Sequence, residues 1–539
     1  MAEDNRDQEQ DSSQTPQIGG RYAKYVLGVL IVVYIFNFID RQIISILAEE
    51  IKADLGITDA QIGFLYGTAF AVFYAIFGIP LGRLADVWVR KSLISIGLAV
   101  WSLMTALSGT AKSFAMLAGY RIGVGIGEAS ATPAAFSMLS DYFSPRMRAT
   151  ALAVYSSGVY IGAGIGIFLG GWIVDGWNAA FPDPAAAPFG LKSWQAAYLT
   201  VGLPGILMAI WVFTLREPKR GQSEGIVTPA HPSPFKAAWQ EFMAVLPPFT
   251  LVTLLRAGAG RKGIVHNLTA AACIAIGSWG LIVLTGDPEQ WIALGIGTYA
   301  TYSWVQGLAL RDPATFAMMF KSRAFLYVVL GFPTISLVTY GVGFWTPPFF
   351  LRVHGVSASE AGTVLGLSAA LGGWLGITFG GVISDWLKRR TGKARVYVGL
   401  ASVAMTLPTA LGLLLSDNLV VAYVFNFLFA IASSCWIGAA ASSVNDLVMP
   451  RMRALASAFY ILMATLGLAL GPYMIGEISD VLALGGMDSG EALRSSMAMS
   501  VALLAIPAIF LLLCLPHIER DEANRDERAI AAGETIEKA

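Results

Sequence analysis

Charged side chains are scarce in this sequence. Only 13% of its 539 residues are Asp, Glu, Lys or Arg, whereas 55% are hydrophobic. A soluble domain carries about 25% charged residues, so this composition excludes an ordinary soluble protein. Basic and acidic residues number 36 each, and the zero net charge gives no electrostatic reason to expect nucleic-acid binding.

Cysteine and histidine are also few. The three cysteines lie in apolar stretches without C-x-x-C spacing, and the four histidines are scattered. This pattern argues against a disulfide framework, a structural zinc site or a metalloenzyme. A membrane enzyme would need a His/Cys/Ser cluster at one membrane face, which the sequence does not offer. The phosphate-binding pattern G-x-x-x-x-G-K-[ST] is missing as well, which argues against ATP-driven pumping. We expect no cofactor.

Long hydrophobic runs recur from Tyr22 to His517. A bilayer core needs about 20 apolar residues per helix, so the sequence predicts an all-α integral membrane protein with fourteen spans. The first set of six is 22–49, 61–81, 92–111, 114–141, 148–175 and 193–216. The second set is 324–351, 358–387, 396–416, 419–446, 453–480 and 491–517. Two further spans, 263–285 and 289–310, lie between the sets.

Basic residues in the loops predict the orientation. Loops on one side of the predicted membrane hold 22 of the 36 Lys and Arg residues, and loops on the other side hold five. Because basic loops remain in the cytoplasm, we expect both termini to be cytoplasmic, in a plasma or inner membrane. The polar, acidic start of the chain does not resemble a cleavable signal peptide.

The two sets of six spans form an internal repeat. Pro145-Arg146-Met147-Arg148-Ala149 recurs letter for letter at positions 450–454, and the Gly82-x-x-x-Asp86 pattern recurs as Gly381-x-x-x-Asp385. Two copies in the same orientation predict pseudo-symmetric six-helix bundles related by an axis along the membrane normal. Such halves suit a transporter that rocks about a central site. The predicted boundaries are a tail 1–21, a bundle 22–216, a cytoplasmic linker 217–262, an extra pair 263–310, a bundle 311–517 and a tail 518–539.

Four charged residues lie well inside the predicted spans, away from the span ends. Arg41 and Arg121 are the basic ones, and Asp40 and Glu128 are acids on the same helices at a similar depth. Charges at bilayer depth are costly and usually mark a substrate or ion pathway. We therefore predict that Asp40 and Glu128 bind the coupled proton and that a moving arginine loads and releases it. Static ion pairs that join helices are the alternative.

Arginine also binds phosphate or carboxylate through two parallel hydrogen bonds. Arg41 and Arg121 are therefore candidates to hold an anionic head group, with Asn37 beside them. Aromatic residues Tyr340, Phe344 and Trp345 are candidate lining of a wide apolar cavity, although their spacing fits packed core or a lipid-facing surface equally well.

The loop from Gly82 to Lys91 resembles the loop signature of the major facilitator superfamily, G-x-L-A-D-x-x-G-R-K in outline, with Val89 where that family usually has Gly. The resemblance implies that the loop bridges the halves on the cytoplasmic side. The residues to which the resemblance gives this gating role are Gly82, Asp86, Arg90 and Lys91, and the corresponding residues of the second half are Asp385 and Arg389.

Within that superfamily, the segments 37–41, 121–129 and 216–220 resemble the Spinster branch. The resemblance covers both bundles but not the extra pair, for which we expect a packing or bracing role. It implies proton-linked movement of lysophospholipids or sphingoid phosphates, with Asp40 and Glu128 as proton-sensitive acids and Arg41 and Arg121 in contact with substrate or acids.

The resulting hypothesis is a monomeric, proton-coupled secondary transporter that moves an anionic, lipid-like amphipath among membrane lipids by alternating access. A drug–proton antiporter is the first alternative, and a polar-solute symporter is the second. An uncoupled channel or lipid scramblase is a further class. The sequence leaves the substrate, the direction of transport and the role of the extra helices open.

Overall fold

A computed structural model describes residues 18–225 and 231–534, so most of the predicted tail 1–21 and short parts of the linker and the C-terminal tail lie outside it. The regular structure of these ranges is helical. Helices of the first half are α1 (Arg21–Leu55), α2 (Asp59–Tyr66), α3 (Thr68–Val87), α4 (Arg90–Ser108), α5 (Phe114–Glu128), α6 (Ala131–Tyr142), α7 (Pro145–Ser156), α8 (Gly158–Ala180) and α9 (Ser193–Phe213).

Five helices connect the halves. They are α10 (Pro234–Val245), α11 (Phe249–Arg256), α12 (Arg261–Thr285), α13 (Pro288–Arg311) and α14 (Pro313–Phe320). The second half contains α15 (Arg323–His354), α16 (Ala358–Leu367), α17 (Gly373–Lys388), α18 (Ala394–Leu415), α19 (Leu419–Ala432), α20 (Trp436–Asp446), α21 (Arg453–Leu484), α22 (Ser489–Val501), α23 (Ala505–Ala523) and α24 (Arg525–Ala531).

Every predicted span is helical, and twelve lie in helices that are long and apolar enough to cross a membrane. The fourth predicted span is divided after Glu128 into two shorter helices, α5 and α6. The second extra helix, α13, is more polar than a typical span. Its polar side chains face Asn267 of α12, which donates to Ser303 (3.0 Å) and Gln306 (2.9 Å). The two extra helices therefore form a hairpin held by internal hydrogen bonds.

The architecture confirms the predicted fold class: an all-α membrane protein with two pseudo-symmetric six-helix bundles and two extra helices between them. Glycines allow the bundles to meet closely. A Cβ on Gly366 of α16 would lie 2.6 Å from the carbonyl oxygen of Gly164 of α8, and one on Gly63 of α2 would touch the backbone of Pro472 of α21. Small residues at such crossings let helix backbones approach in lipid.

The two membrane faces differ in how the halves meet. We call the face with loops 88–89, 143–144, 214–225 and 389–393 the basic face, and the face with loops 56–58, 181–192 and 355–357 the opposite face. Hydrogen bonds between the halves begin near mid-membrane, where Thr68 donates to the carbonyl of Ala469 (2.9 Å). They continue to the opposite face, where Ser359 donates to Asp175 (2.7 Å). The protein is therefore closed at the opposite face.

The Gly164–Gly366 crossing predicts a conformational effect. Gly164→Leu places a side chain against the backbone of Gly366, so we expect the halves to separate at the opposite face. Spin labels at Asp183 and Asp417, in a background without the three cysteines, would report this as a longer distance. Gly176→Leu is the control, because a Cβ at Gly176 on the same helix meets nothing within 4 Å. Equal distances in both variants would contradict the expectation.

Candidate functional site

The four charged residues within the spans converge inside the first half. Arg41 of α1 donates from Nη2 to Oε2 of Glu128 on α5 at 2.7 Å, and this ion pair joins two helices whose residues are 87 positions apart. Glu128 is fully buried and only 13% of the Arg41 side chain is exposed. The similar depth of the four charged residues predicted that they would lie close together. The structure shows that Arg41 and Glu128 are the two that form an ion pair.

Arg121 does not pair with a carboxylate. Its Nη1 donates to the backbone carbonyl of Asp40 (3.2 Å) and its Nε to that of Leu65 (3.3 Å). Of the ion pairs joining helices that the sequence left open as an alternative, the described residues show one here, between Arg41 and Glu128. The Arg121 side chain of α5 thus binds the backbones of two helices, α1 and α2.

The Asp40 carboxylate is fully buried, and neither of its oxygens has a hydrogen-bond partner in the described part of the chain. Thr105 and Trp101 of α4 lie beside it, and their side-chain donors are also without partners. A small shift of these side chains would let both donate to Asp40. The carboxyl group therefore has polar neighbours within reach but no bond in this conformation.

Aromatic rings surround Arg41. Its guanidinium carbon lies 4.3 Å from the ring centroid of Phe70, 4.7 Å from that of Phe38 and 5.4 Å from that of Tyr74. Tyr340 of the second half is near Arg41 and Tyr74 and is 40% exposed. Since Tyr340 sits between the bundles, this exposure marks the chamber that separates them. Arg41 is the charged group of the four that reaches this chamber.

Two other predicted lining residues do not face the chamber. Phe344 is buried and stacks on Tyr66 of the first half, with ring centroids 4.3 Å apart. Trp345 is fully buried and donates from Nε1 to the carbonyl of Pro472 at 2.8 Å. Of the three predicted residues, only Tyr340 is exposed, because the chamber ends where Phe344 and Trp345 pack. Asn37, also predicted, is buried beside Glu128.

At the basic face, the predicted gating loop is held within its own half. Arg90 is buried, forms an ion pair with Asp141, and donates from Nε to Glu217 at 2.7 Å. The backbone of Lys91 donates to the same glutamate (3.0 Å). Asp86 is exposed and makes no hydrogen bond to another described residue. The loop does not bridge the halves in this conformation.

Gly82 leaves free space at the start of this loop, because a Cβ there would come no closer than 4.0 Å to Pro133. The loop could therefore take a larger residue at this position without a clash in this conformation.

The second half repeats this network with different residues from those predicted. Arg395 forms an ion pair with Asp446 and donates to the carbonyl of Ser442 (2.7 Å), as Arg90 does with Asp141 and the carbonyl of Ser137 (3.2 Å). Lys388 pairs with Glu522, the counterpart of Glu217.

Asp385 and Arg389, the predicted counterparts in the second half, are both exposed. The prediction that Arg389 corresponds to Arg90 is wrong, because the loop 389–393 is longer than the loop 88–89 and moves the equivalent arginine to Arg395.

The opposite face contains a charged network that sequence reasoning missed. Arg352 of the second half donates to both carboxylate oxygens of Asp59 (2.6 and 2.7 Å) and to Glu49 (2.7 and 2.8 Å). Ser479 also donates to Asp59 (2.9 Å). The sequence signal that could have indicated this network is the small number of basic residues on this side. Arg352 is one of only five there, and an arginine in such a place is a candidate for pairing with an acid.

These features define a transporter rather than an enzyme: two repeated bundles, a chamber between them and a charged cluster at its wall. Residues 30–472 match the sequence profile of the Major Facilitator Superfamily. The match covers most of the chain, and the chain belongs to this superfamily.

Among curated proteins, the chain is 26% identical over 518 residues to an MFS-type efflux pump of Mycolicibacterium smegmatis, covering 95% of this chain and 97% of that protein. It is 24% identical over 473 residues to Protein spinster of Drosophila melanogaster, covering 86% of this chain and 63% of that protein. These matches confirm the resemblance to the Spinster branch.

Among solved structures, the chain resembles the crystal structure of a bacterial homologue of the human lysosomal transporter Spinster, in its inward-facing and unoccupied conformation. The TM-score is 0.70 at 26% identity, and the match covers 93% of this chain and 98% of that chain. The closed opposite face described above agrees with this conformation if the basic face is the inner one.

The Arg352 network predicts a shift between conformations. Removing one partner of a buried ion pair costs about 3–5 kcal/mol, so Arg352→Gln should open the opposite face by removing the ion pairs that join Asp59 and Glu49 to the second half. Accessibility of a cysteine introduced at Ser479 to a membrane-impermeant maleimide would measure the opening. Lys192→Gln is the control, because the ion pair of Lys192 with Asp54 lies within one half. Similar labelling of both variants would show that Arg352 does not hold this face closed.

Proposed function

We propose that the protein is a proton-coupled secondary transporter that works by alternating access and carries an anionic amphipath. The observation that supports it is the Asp40 carboxylate, buried without a partner one residue from Arg41. An ionised carboxylate in such a place is very costly, whereas the neutral form is tolerated. Asp40 therefore holds a proton in this conformation.

Glu128 is the second proton acceptor in this proposal. Arg41 carries one guanidinium charge, and the chamber offers it either Glu128 or an incoming anion. A proton on Glu128 weakens the Arg41–Glu128 ion pair and frees Arg41 for the anion. Because an unpaired charge is costly at bilayer depth, the anion replaces the Glu128 carboxylate on Arg41 when a proton binds Glu128. The two binding events are thereby coupled.

The surroundings of Arg41 support an amphipathic substrate. A guanidinium binds carboxylate or phosphate with directed hydrogen bonds, and the rings of Phe70 and Tyr74 beside it, with Tyr340 across the chamber, offer apolar and polarisable surface. A lysophospholipid or a sphingoid phosphate combines these two features. The chain's similarity to Spinster proteins is consistent with this substrate class.

The membrane orientation belongs to the same proposal. The basic face is cytoplasmic, both termini included, because basic loops are retained there. The conformation described is then open towards the cytoplasm. The Asp86–Lys91 loop and its second-half counterpart would meet in the other conformation, when the basic face closes. The protein works as a monomer in a plasma or inner membrane.

A drug–proton antiporter is the second candidate, favoured by the similarity to the MFS-type efflux pump over 95% of this chain. It uses the same acids, with a cationic amphipath in contact with Glu128 and the aromatic rings in place of an anion on Arg41.

Proton coupling predicts separate effects on two assays. Asp40→Asn with Glu128→Gln removes both titratable groups, so we expect loss of substrate accumulation driven by a pH gradient in proteoliposomes. Exchange of labelled for unlabelled substrate at equal pH should continue, because it needs no net proton movement. Asp183→Asn, on an exposed loop, is the control. Accumulation that survives in the double variant would refute the coupling role of both acids.

The substrate proposal predicts a charge-dependent response at Arg41. Arg41→Lys keeps the charge but loses the paired hydrogen bonds, and we expect about a tenfold loss of affinity for an anionic lysolipid or sphingoid phosphate. Arg41→Gln should abolish transport of these anions. The measurement is binding and uptake across a panel that includes a cationic drug and a sugar dicarboxylate. A wild-type protein that moves only the drug would support the antiporter instead.

A further inference from the structure

The extra hairpin borders an apolar crevice on the outer surface of the bundles. Helix α13 faces both halves there: a Cβ on Gly297 would lie 3.1 Å from Val72 of α3, and Trp304 stacks near Phe459 of α21. The crevice is shallow and partly open to its surroundings, with a cavity volume of about 20 Å³. Helices α3, α13 and α21 and the end of α10 line it. The lining includes Val72, Ala75, Ile79, Val245, Ala300 and Leu466.

The crevice is separate from the central chamber. On α3, Phe70 and Tyr74 contact Arg41, whereas Val72 and Ile79 line the crevice. At 100° per residue, these two sets fall on opposite sides of the helix. A molecule in the crevice is therefore divided from the charged cluster by the full width of α3.

A basic pocket lies beyond the end of the crevice at the basic face. It has a cavity volume of about 150 Å³, and Arg83, Lys236 and His231 lie along it with Ser233 and Gln240. Arg83 is one helical turn past Ile79 on α3. Arg83 and Lys236 form no ion pair with another described residue. Glu241 lines the same pocket, but Arg311 of α13 lies 3.8 Å from it, so the pocket is net positive.

The hydrogen bonds that join the hairpin to the bundles run to the second half. Tyr473 of α21 donates to Asp287 at 2.8 Å, and Arg451 donates to Asp312 at 2.9 Å. Burial alone raises the pKa of Asp312, but hydrogen bonds from Arg451 and Thr315 outweigh it and hold this pKa below its ordinary value. The hairpin's contact with α3 of the first half is apolar. The crevice thus follows the seam across which the two halves move.

We propose that this crevice and the basic pocket together bind an anionic phospholipid of the adjacent leaflet, which stays in place and is not transported. The head group lies between Arg83 and Lys236, and an acyl chain lies along the open, apolar groove that α3, α13 and α21 form. The charge argues for an anionic rather than a zwitterionic head group, since each basic residue near a membrane surface attracts anionic lipid. The apolar crevice in line with it argues for a lipid rather than a free phosphate.

Native mass spectrometry of the full chain released from detergent micelles tests this proposal, with phosphatidylglycerol and phosphatidylcholine as the probes. We expect at least one phosphatidylglycerol to be retained in preference to phosphatidylcholine. Arg83→Gln with Lys236→Gln should weaken this binding about 30-fold, from the loss of two basic residues. Ala75→Trp should displace the acyl chain by filling the crevice.

Matched controls separate a site from general attraction. Arg146→Gln with Lys321→Gln removes two exposed basic residues of the basic face outside the pocket, and Ala272→Trp adds the same bulk on the exposed side of α12. Both controls should keep the bound lipid. Equal losses in the control and test variants would overturn the proposal, as would equal retention of the two lipids by the wild type. Passage of labelled phosphatidylglycerol across proteoliposomes, dependent on Arg41, would assign the lipid to the transport pathway instead.

Discussion

The cost of charge at bilayer depth constrains this structure more than any other interaction. The first bundle places two arginines and two acids in its interior, and their charges are compensated in different ways. Arg41 and Glu128 neutralise one another between helices, and Arg121 is satisfied by backbone carbonyl groups. Asp40 has no partner in this conformation. Because each solution depends on how α1 and α5 cross, a change in charge on one group alters the stability of the whole arrangement.

The packing between the bundles complements this cluster. At the opposite face, glycine crossings bring helix backbones together and Arg352 bridges to Asp59 and Glu49. At the basic face, the corresponding arginines, Arg90 and Arg395, bind acids within their own bundles. Each bundle is thus internally fixed at one face and joined to its partner at the other. This asymmetry is what the proposed alternating access by two nearly rigid bundles requires.

Much of the fold follows from the sequence, because about 20 apolar residues in a row have few alternatives to a membrane helix and the repeat fixes the pairing of halves. The position of each residue along its span predicted that four charged side chains would lie close together, namely Asp40, Arg41, Arg121 and Glu128. Their partners were not, because depth gives the height of a residue and not the direction in which its side chain points. The buried positions of Phe344 and Trp345 depend on where the halves close, which no local pattern encodes.

The duplication has a consequence for how a molecule lies in the chamber. The offset of 299 that relates Gly56 to Gly355 and Asp86 to Asp385 also relates Arg41 to Tyr340. Equivalent positions of the two copies therefore face one another across the chamber with unlike chemistry, a guanidinium on one side and a phenol ring on the other. An amphipathic substrate of the proposed kind would bind between these positions in one orientation, with its charged end at Arg41 and its apolar end towards Tyr340.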